Sequence, residues 1–154
     1  NLGGTVQSLM RYPPGLTTQF DKIAQVDHRE MDRLIRFLEK ENITRGYTNY
    51  WVAYPLAFRT GEEMVFLPRL PYHQDFRYTT RDDRYPPYRE TVGQEQKIAY
   101  ITTHHPGLNE VLRMHFVRRR IDWSEAVIGD YRIFYDFSEL IRPSEMNLGL
   151  DRGP

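Results

Sequence analysis

The sequence contains no cysteine. Disulfides, thiolate catalysis and zinc sites built on Cys are therefore excluded. It has no net charge either, 21 Lys and Arg balancing 21 Asp and Glu. A nucleic-acid binder normally carries a basic excess, so no nucleic-acid partner is expected. Lysine is almost missing: Lys22, Lys40 and Lys97 leave 18 of the 21 cations to arginine. Arginine is the better residue for forked contact with carboxylate or phosphate. No apolar run approaches the ~20 residues that span a bilayer. The first residues lack the basic-then-apolar pattern of a signal peptide. The chain thus reads as soluble, and if it belongs to a membrane protein the spanning part lies elsewhere.

Signature motifs are missing as well. There is no Gly-x-Gly-x-x-Gly, no Gly-x4-Gly-Lys-Ser/Thr and no Gly-x-Ser-x-Gly, so backbone phosphate cradles and a nucleophile elbow are not expected. Gly46-Tyr47-Thr48-Asn49 has a single glycine with bulky neighbours. The histidines (28, 73, 104, 105 and 115) never stand four apart with a Glu between them. Neither a metal site nor a cofactor is expected, and no catalytic residue is assigned.

What is present is ordinary globular material: 154 residues, 40% hydrophobic and 27% charged. That fits one domain with a core of its own. Residues 1–20 read as a lead-in, 21–143 as the domain and 144–154 as a loose polar tail. Asp27 and Glu30 have capping-box spacing, and Met31, Leu34, Ile35 and Leu38 form one apolar stripe, predicting a helix over about 28–42. A short β-prone run at 43–48 follows, then a helix from Tyr50 to Arg59 with Pro55 inside it. Met64–Leu67 reads as a strand, 68–90 as a long loop, and 88–96 as a short helix. Further expectations are a strand at 97–103, a helix at about 107–119, and two strands, 123–128 and 131–137, joined by the turn-forming Gly129-Asp130. The order α-β-α-β-loop-β-α-β-β predicts an α/β fold, a mixed sheet of about five strands flanked by helices.

The candidate ligand contacts lie in two stretches. Tyr50 and Trp51 open the second helix; Tyr50, Tyr54 and Phe58 are expected to share one of its faces, and Trp51 to anchor the core. Asp83, Arg84, Tyr85 and Tyr88 lie in the long loop, where Arg offers forked donors and Tyr rigid stacking area. Arg84 is the expected charged contact, Tyr85 and Tyr88 the stacking ones. Asp82-Asp83 is flanked by Arg81 and Arg84, which are expected to neutralise it locally.

Gly46-Tyr47-Thr48-Asn49-Tyr50-Trp51-Val52-Ala53-Tyr54-Pro55-Leu56-Ala57-Phe58-Arg59-Thr60-Gly61-Glu62 follows an amphipathic helix, and Asp83-Arg84-Tyr85-Pro86-Pro87-Tyr88 comes later. Together these resemble the soluble C-terminal region of bacterial membrane glycosyltransferases of the GT-C type, similar to dolichyl-phosphate-mannose–protein mannosyltransferases. The resemblance runs from about Asp32 to Arg142; Pro55 departs from it, standing where the family has a long polar residue. It implies an extracytoplasmic, non-catalytic domain, with the membrane-embedded remainder of the same polypeptide as partner. It also implies contact with a glycan or a polyprenyl-phosphate head group, the catalytic carboxylates lying outside this chain. Two alternatives stay open on the residues alone. One is a free-standing small enzyme using the 68–90 loop with Arg84 and a histidine. The other is a ligand-free assembly module.

Overall fold

A computed structural model describes residues 28–150; the lead-in and the Asp27 cap lie outside the described residues. A 3-10 turn, His28–Glu30, runs into helix α1, Met31–Lys40, whose Met31, Leu34 and Leu38 are buried. Strand β1 is Arg45–Thr48 and helix α2 Tyr50–Arg59. The Asn49 side chain caps α2 by accepting from the Trp51 N–H at 3.0 Å. Pro55 removes one backbone donor without ending the helix. Next come β2 (Val65–Pro68), α3 (Pro87–Gly93), β3 (Ile98–Thr103), α4 (Pro106–Arg118), β4 (Ser124–Ile128) and β5 (Tyr131–Tyr135).

The five strands form one mixed sheet in the order β2-β1-β3-β5-β4. β1 pairs in parallel with β2 and β3, and β5 pairs antiparallel with β3 and β4. The fold is the α/β class that the alternating elements imply. Side chains alternate across the sheet and feed two cores. Phe66, Ala99, Ile101 and Ile133 meet Met31, Leu34, Leu38, Val52 and Leu56, so α1 and α2 cover that face. Tyr47, Leu67, Tyr100 and Phe134 meet Val92, Leu108, Leu112 and Phe116, so α3 and α4 cover the other.

The packed domain runs past 143. Pro143–Met146 is a 3-10 turn, and Met146 and Leu148 are buried with the second core. The polar look of this segment concealed its role. Its anchor is Arg142, whose guanidinium donates to the Tyr47 hydroxyl at 2.6 Å and to the carbonyls of Val92, Gly93 and Glu95 at 3.2, 2.9 and 3.0 Å. The Gly93 and Glu95 carbonyls, at the end of α3 and just past it, have no other partner among the described residues, while that of Val92 also accepts from the Glu95 N–H at 3.2 Å.

Glu125 ties the hairpin to α4. Its carboxylate accepts from Arg113 at 2.7 and 3.0 Å, from Arg132 at 3.1 Å and from the Trp123 indole at 3.1 Å. The Arg113 hydrogen bond is the main reason its pKa falls from 4.5 to about 2. A carboxylate depressed on folding stabilises the native state above its unfolded pKa and stops doing so as pH falls through the folded one. This contribution is therefore full above pH 4.5 and lost on the way down to about 2. Discounted for solvent screening it is roughly 1–2 kcal/mol. Urea unfolding at stepped pH should show this loss in the native protein and a flatter acid limb in Glu125→Gln; parallel limbs would refute the assignment.

Candidate functional site

α2 leaves the end of β1 toward one face of the sheet, and α4 leaves the end of the adjacent β3 toward the other. The chain thus diverges at the carboxyl ends of β1 and β3, where open α/β sheets form their ligand crevice. The floor there is polar yet buried: Thr48, Asn49, Thr102, Thr103 and His105 are all 2% exposed or less. Each is tied down. Asn49 Nδ2 donates to Thr103 Oγ1 at 2.8 Å, Thr48 Oγ1 to the Ile101 carbonyl at 2.8 Å, and Thr102 Oγ1 to Asn109 Oδ1 at 2.6 Å.

His105 N-caps α4. Its Nδ1 accepts from the Leu108 N–H at 3.2 Å, and its Nε2 lies 3.0 Å from the His73 carbonyl. Because a carbonyl only accepts, Nε2 carries the proton. Both nitrogens are engaged, Nδ1 in capping α4 and Nε2 in holding the long loop. His104 goes elsewhere: its Nε2 meets Asp130 Oδ1 at 3.2 Å, from a backbone with φ +47°.

The long loop supplies one wall and the first turns of α2 the other. Trp51 packs edge-on to Tyr50 at 5.1 Å and to Tyr72 at 5.9 Å, and Tyr50 packs against Tyr54 at 5.4 Å. The Arg84 guanidinium sits 5.1 Å from the Tyr50 ring centre, a cation–π contact. Tyr54 fixes the loop in place: its hydroxyl accepts from the Arg84 N–H at 2.7 Å and donates to the Asp82 carbonyl at 2.8 Å. Trp51 is half-buried rather than enclosed. Its indole N–H is shielded from solvent and has no hydrogen-bond partner among the described residues. Phe76 lies on His105 at 4.9 Å and has φ +63°, a costly conformation for a bulky side chain.

The structure brings Tyr50, Trp51 and Arg84 together and leaves the other candidates apart. Tyr85 and Tyr88 pack on each other at 4.7 Å, and the Tyr88 hydroxyl donates to Glu62 Oε1 at 2.9 Å, past the end of α2. Burial first, then that carboxylate, pushes the Tyr88 phenol up to about 12. Phe58 does not join Tyr50 and Tyr54; it is 87% exposed. Asp83 turns away from Arg84. Its buried Oδ2 meets Arg89 Nε at 2.6 Å and Arg69 at 3.0 Å, so distant arginines neutralise it rather than Arg81 or Arg84. Adjacent Asp82 is 8% exposed. Burial raises its pKa against the pull of Arg84, His73 and Arg81. A desolvated carboxyl within the field of an arginine marks a functional candidate. In sequence Asp82 reads only together with Asp83, as a locally neutralised pair; both are buried, and the separation of their partners has no local signal.

Comparison of this chain with family models, curated proteins and solved structures found no match.

Proposed function

We propose that this chain is the non-catalytic soluble domain of a membrane glycosyltransferase with a polyprenyl-phosphate sugar donor, and that its crevice holds the acceptor glycan or the donor head group. The domain acts at the extracytoplasmic face, joined to the membrane-embedded remainder of the same polypeptide. The observation that carries the reading is the Tyr50–Trp51–Tyr72 wall with Arg84 laid over Tyr50. Aromatic faces stack on the C–H face of a sugar ring. The Arg84 fork suits hydroxyl or phosphate oxygens, and Asp82 suits sugar hydroxyls. The resemblance of residues 46–62 and 83–88 supports the same assignment.

Titration with oligosaccharides, sugar phosphates and anionic lipid head groups, followed by amide shifts, tests this reading. Shifts should centre on Tyr50, Trp51 and Arg84. Arg84→Ala should weaken binding by roughly 1–3 kcal/mol, the scale of a lost charge-assisted hydrogen bond. Binding that ignores Arg84, or that maps to Tyr85 and Tyr88, would sink it. A second reading has Asp82 behind it: a raised carboxyl suits a general acid in a free-standing enzyme. Turnover of a sugar substrate by the isolated chain, abolished in Asp82→Asn, would favour that reading; the accessory-domain reading expects no transfer.

A further inference from the structure

We infer that the chain has a second ligand site, separate from the aromatic crevice, which takes a small phosphomonoester. A cavity of about 280 Å³ lies between the ends of β1 and β2, the end of α3 and the 143–150 segment. That is slightly below the range of about 300–1,000 Å³ typical of drug-sized ligands, so a small molecule fits. Its walls carry three arginines, Arg69, Arg89 and Arg142, together with Tyr47, Leu148 and Leu150.

The charges there do not cancel. Arg69 and Arg89 share one carboxylate, Asp83, which does not line the cavity. The Arg142 guanidinium is held by a phenol and three carbonyls, all neutral. The nearby Glu145 carboxylate is engaged by Arg119 at 2.9 Å and by the Arg142 backbone N–H at 2.7 Å. Two of the three guanidinium groups therefore share Asp83 and the third meets only neutral acceptors, so two positive charges are left over. A phosphomonoester carries about −1.5 to −2 near neutral pH, which matches that surplus.

A second observation is independent of charge. Tyr47 is 3% exposed and lines the cavity, and its hydroxyl accepts from Arg142. Its own proton meets no acceptor among the described residues. A phosphate oxygen would supply one. The leucine side of the cavity gives the ester's organic group an apolar wall. Gly149 shapes the rim: at φ +67° it lies so close to Arg69 that a Cβ would come within 2.8 Å of that carbonyl.

Calorimetry and amide shifts on the full chain, with inorganic phosphate and n-butyl phosphate as probes, test the site. Both should bind saturably, the butyl ester more tightly, with shifts at Gly93, Ser144 and Gly149. Arg89→Gln should weaken phosphate by roughly tenfold, with Arg89→Lys retaining part of it. Tyr47→Phe, which keeps the ring in its core, should weaken it several-fold. The phosphate-induced shifts at Gly93, Ser144 and Gly149 should persist in a Tyr50→Ala, Arg84→Ala protein whose crevice is disabled, which separates this site from the crevice. The inference is overturned by an absence of saturable binding below roughly 10 mM, by affinities indifferent to Arg89→Gln and Tyr47→Phe, or by phosphate shifts that leave Gly93, Ser144 and Gly149 unmoved.

Discussion

Gly46→Ala is expected to abolish the native sheet. β1 is hydrogen-bonded on both sides, with Gly46 opposite Phe66 on β2 and Ala99 on β3. A Cβ at Gly46 would sit 2.0 Å from the Ala99 carbonyl oxygen, 2.8 Å from the Ala99 nitrogen and 2.6 Å from the Phe66 ring. A flexible side chain could move aside, but the obstacle here is the backbone of a paired neighbouring strand. Ordinary overpacking costs about 1–3 kcal/mol. A main-chain clash inside a three-strand ladder exceeds that and takes up much of the roughly 5–15 kcal/mol that holds a domain together. Expression should give insoluble protein, or a urea midpoint near zero. A soluble Gly46→Ala protein within about 1 kcal/mol of the parent would mean that β1 and β3 do not pair in this register.

Phe116→Ala has the next largest expected effect, a loss of roughly 3–5 kcal/mol. Phe116 is fully buried on α4, and its ring centre lies 5.0 Å from Phe137, 5.2 Å from Trp123 and 6.1 Å from both Tyr100 and Phe134. Truncation removes the centre of this aromatic group, whose members come from β3, β5 and the segments flanking the hairpin, so they cannot collapse together into the gap. Phe116→Leu refills most of the volume and should cost clearly less. Urea unfolding of both variants measures the difference. Equal losses would show that the site relaxes and that ring packing is not what α4 contributes.

Local patterns revealed most of the elements. The Met31, Leu34, Leu38 stripe needs only helical spacing to be seen, and the Gly129-Asp130 step marks its own turn, with Gly129 at φ +54°. α2 was harder. It is apolar almost all round, so periodicity did not reveal that Phe58 faces solvent. The sheet order has no local signal, since β3 lies between β1 and β5 through contacts far apart in sequence. The candidate site divides in the same way. Tyr50 and Trp51 are neighbours and were read together, and Arg84 joins them only through the Tyr54 clasp on the loop. Asp83 was read with the arginines beside it in sequence, whereas tertiary contact gave it Arg69 and Arg89. The 144–148 segment looked like a tail because its anchor, Arg142, is a charged residue acting from within the fold.

The sheet has two outer strands, β2 and β4. An outer strand offers unsatisfied N–H and C=O groups, a template on which a foreign strand can grow. β2 is four residues long, fully buried, and closes on Pro68, which has no N–H to give. β4 is longer and half open, with Val127 58% exposed. Its protection is the charge on Glu125, with Arg132 on the neighbouring strand. That carboxylate keeps its charge down to about pH 2, so the edge stays guarded through ordinary acid. Removing the charge at neutral pH by Glu125→Val is therefore expected to let concentrated protein self-associate edge to edge from β4, and adding Val127→Lys to block it; light scattering of both variants reads the difference.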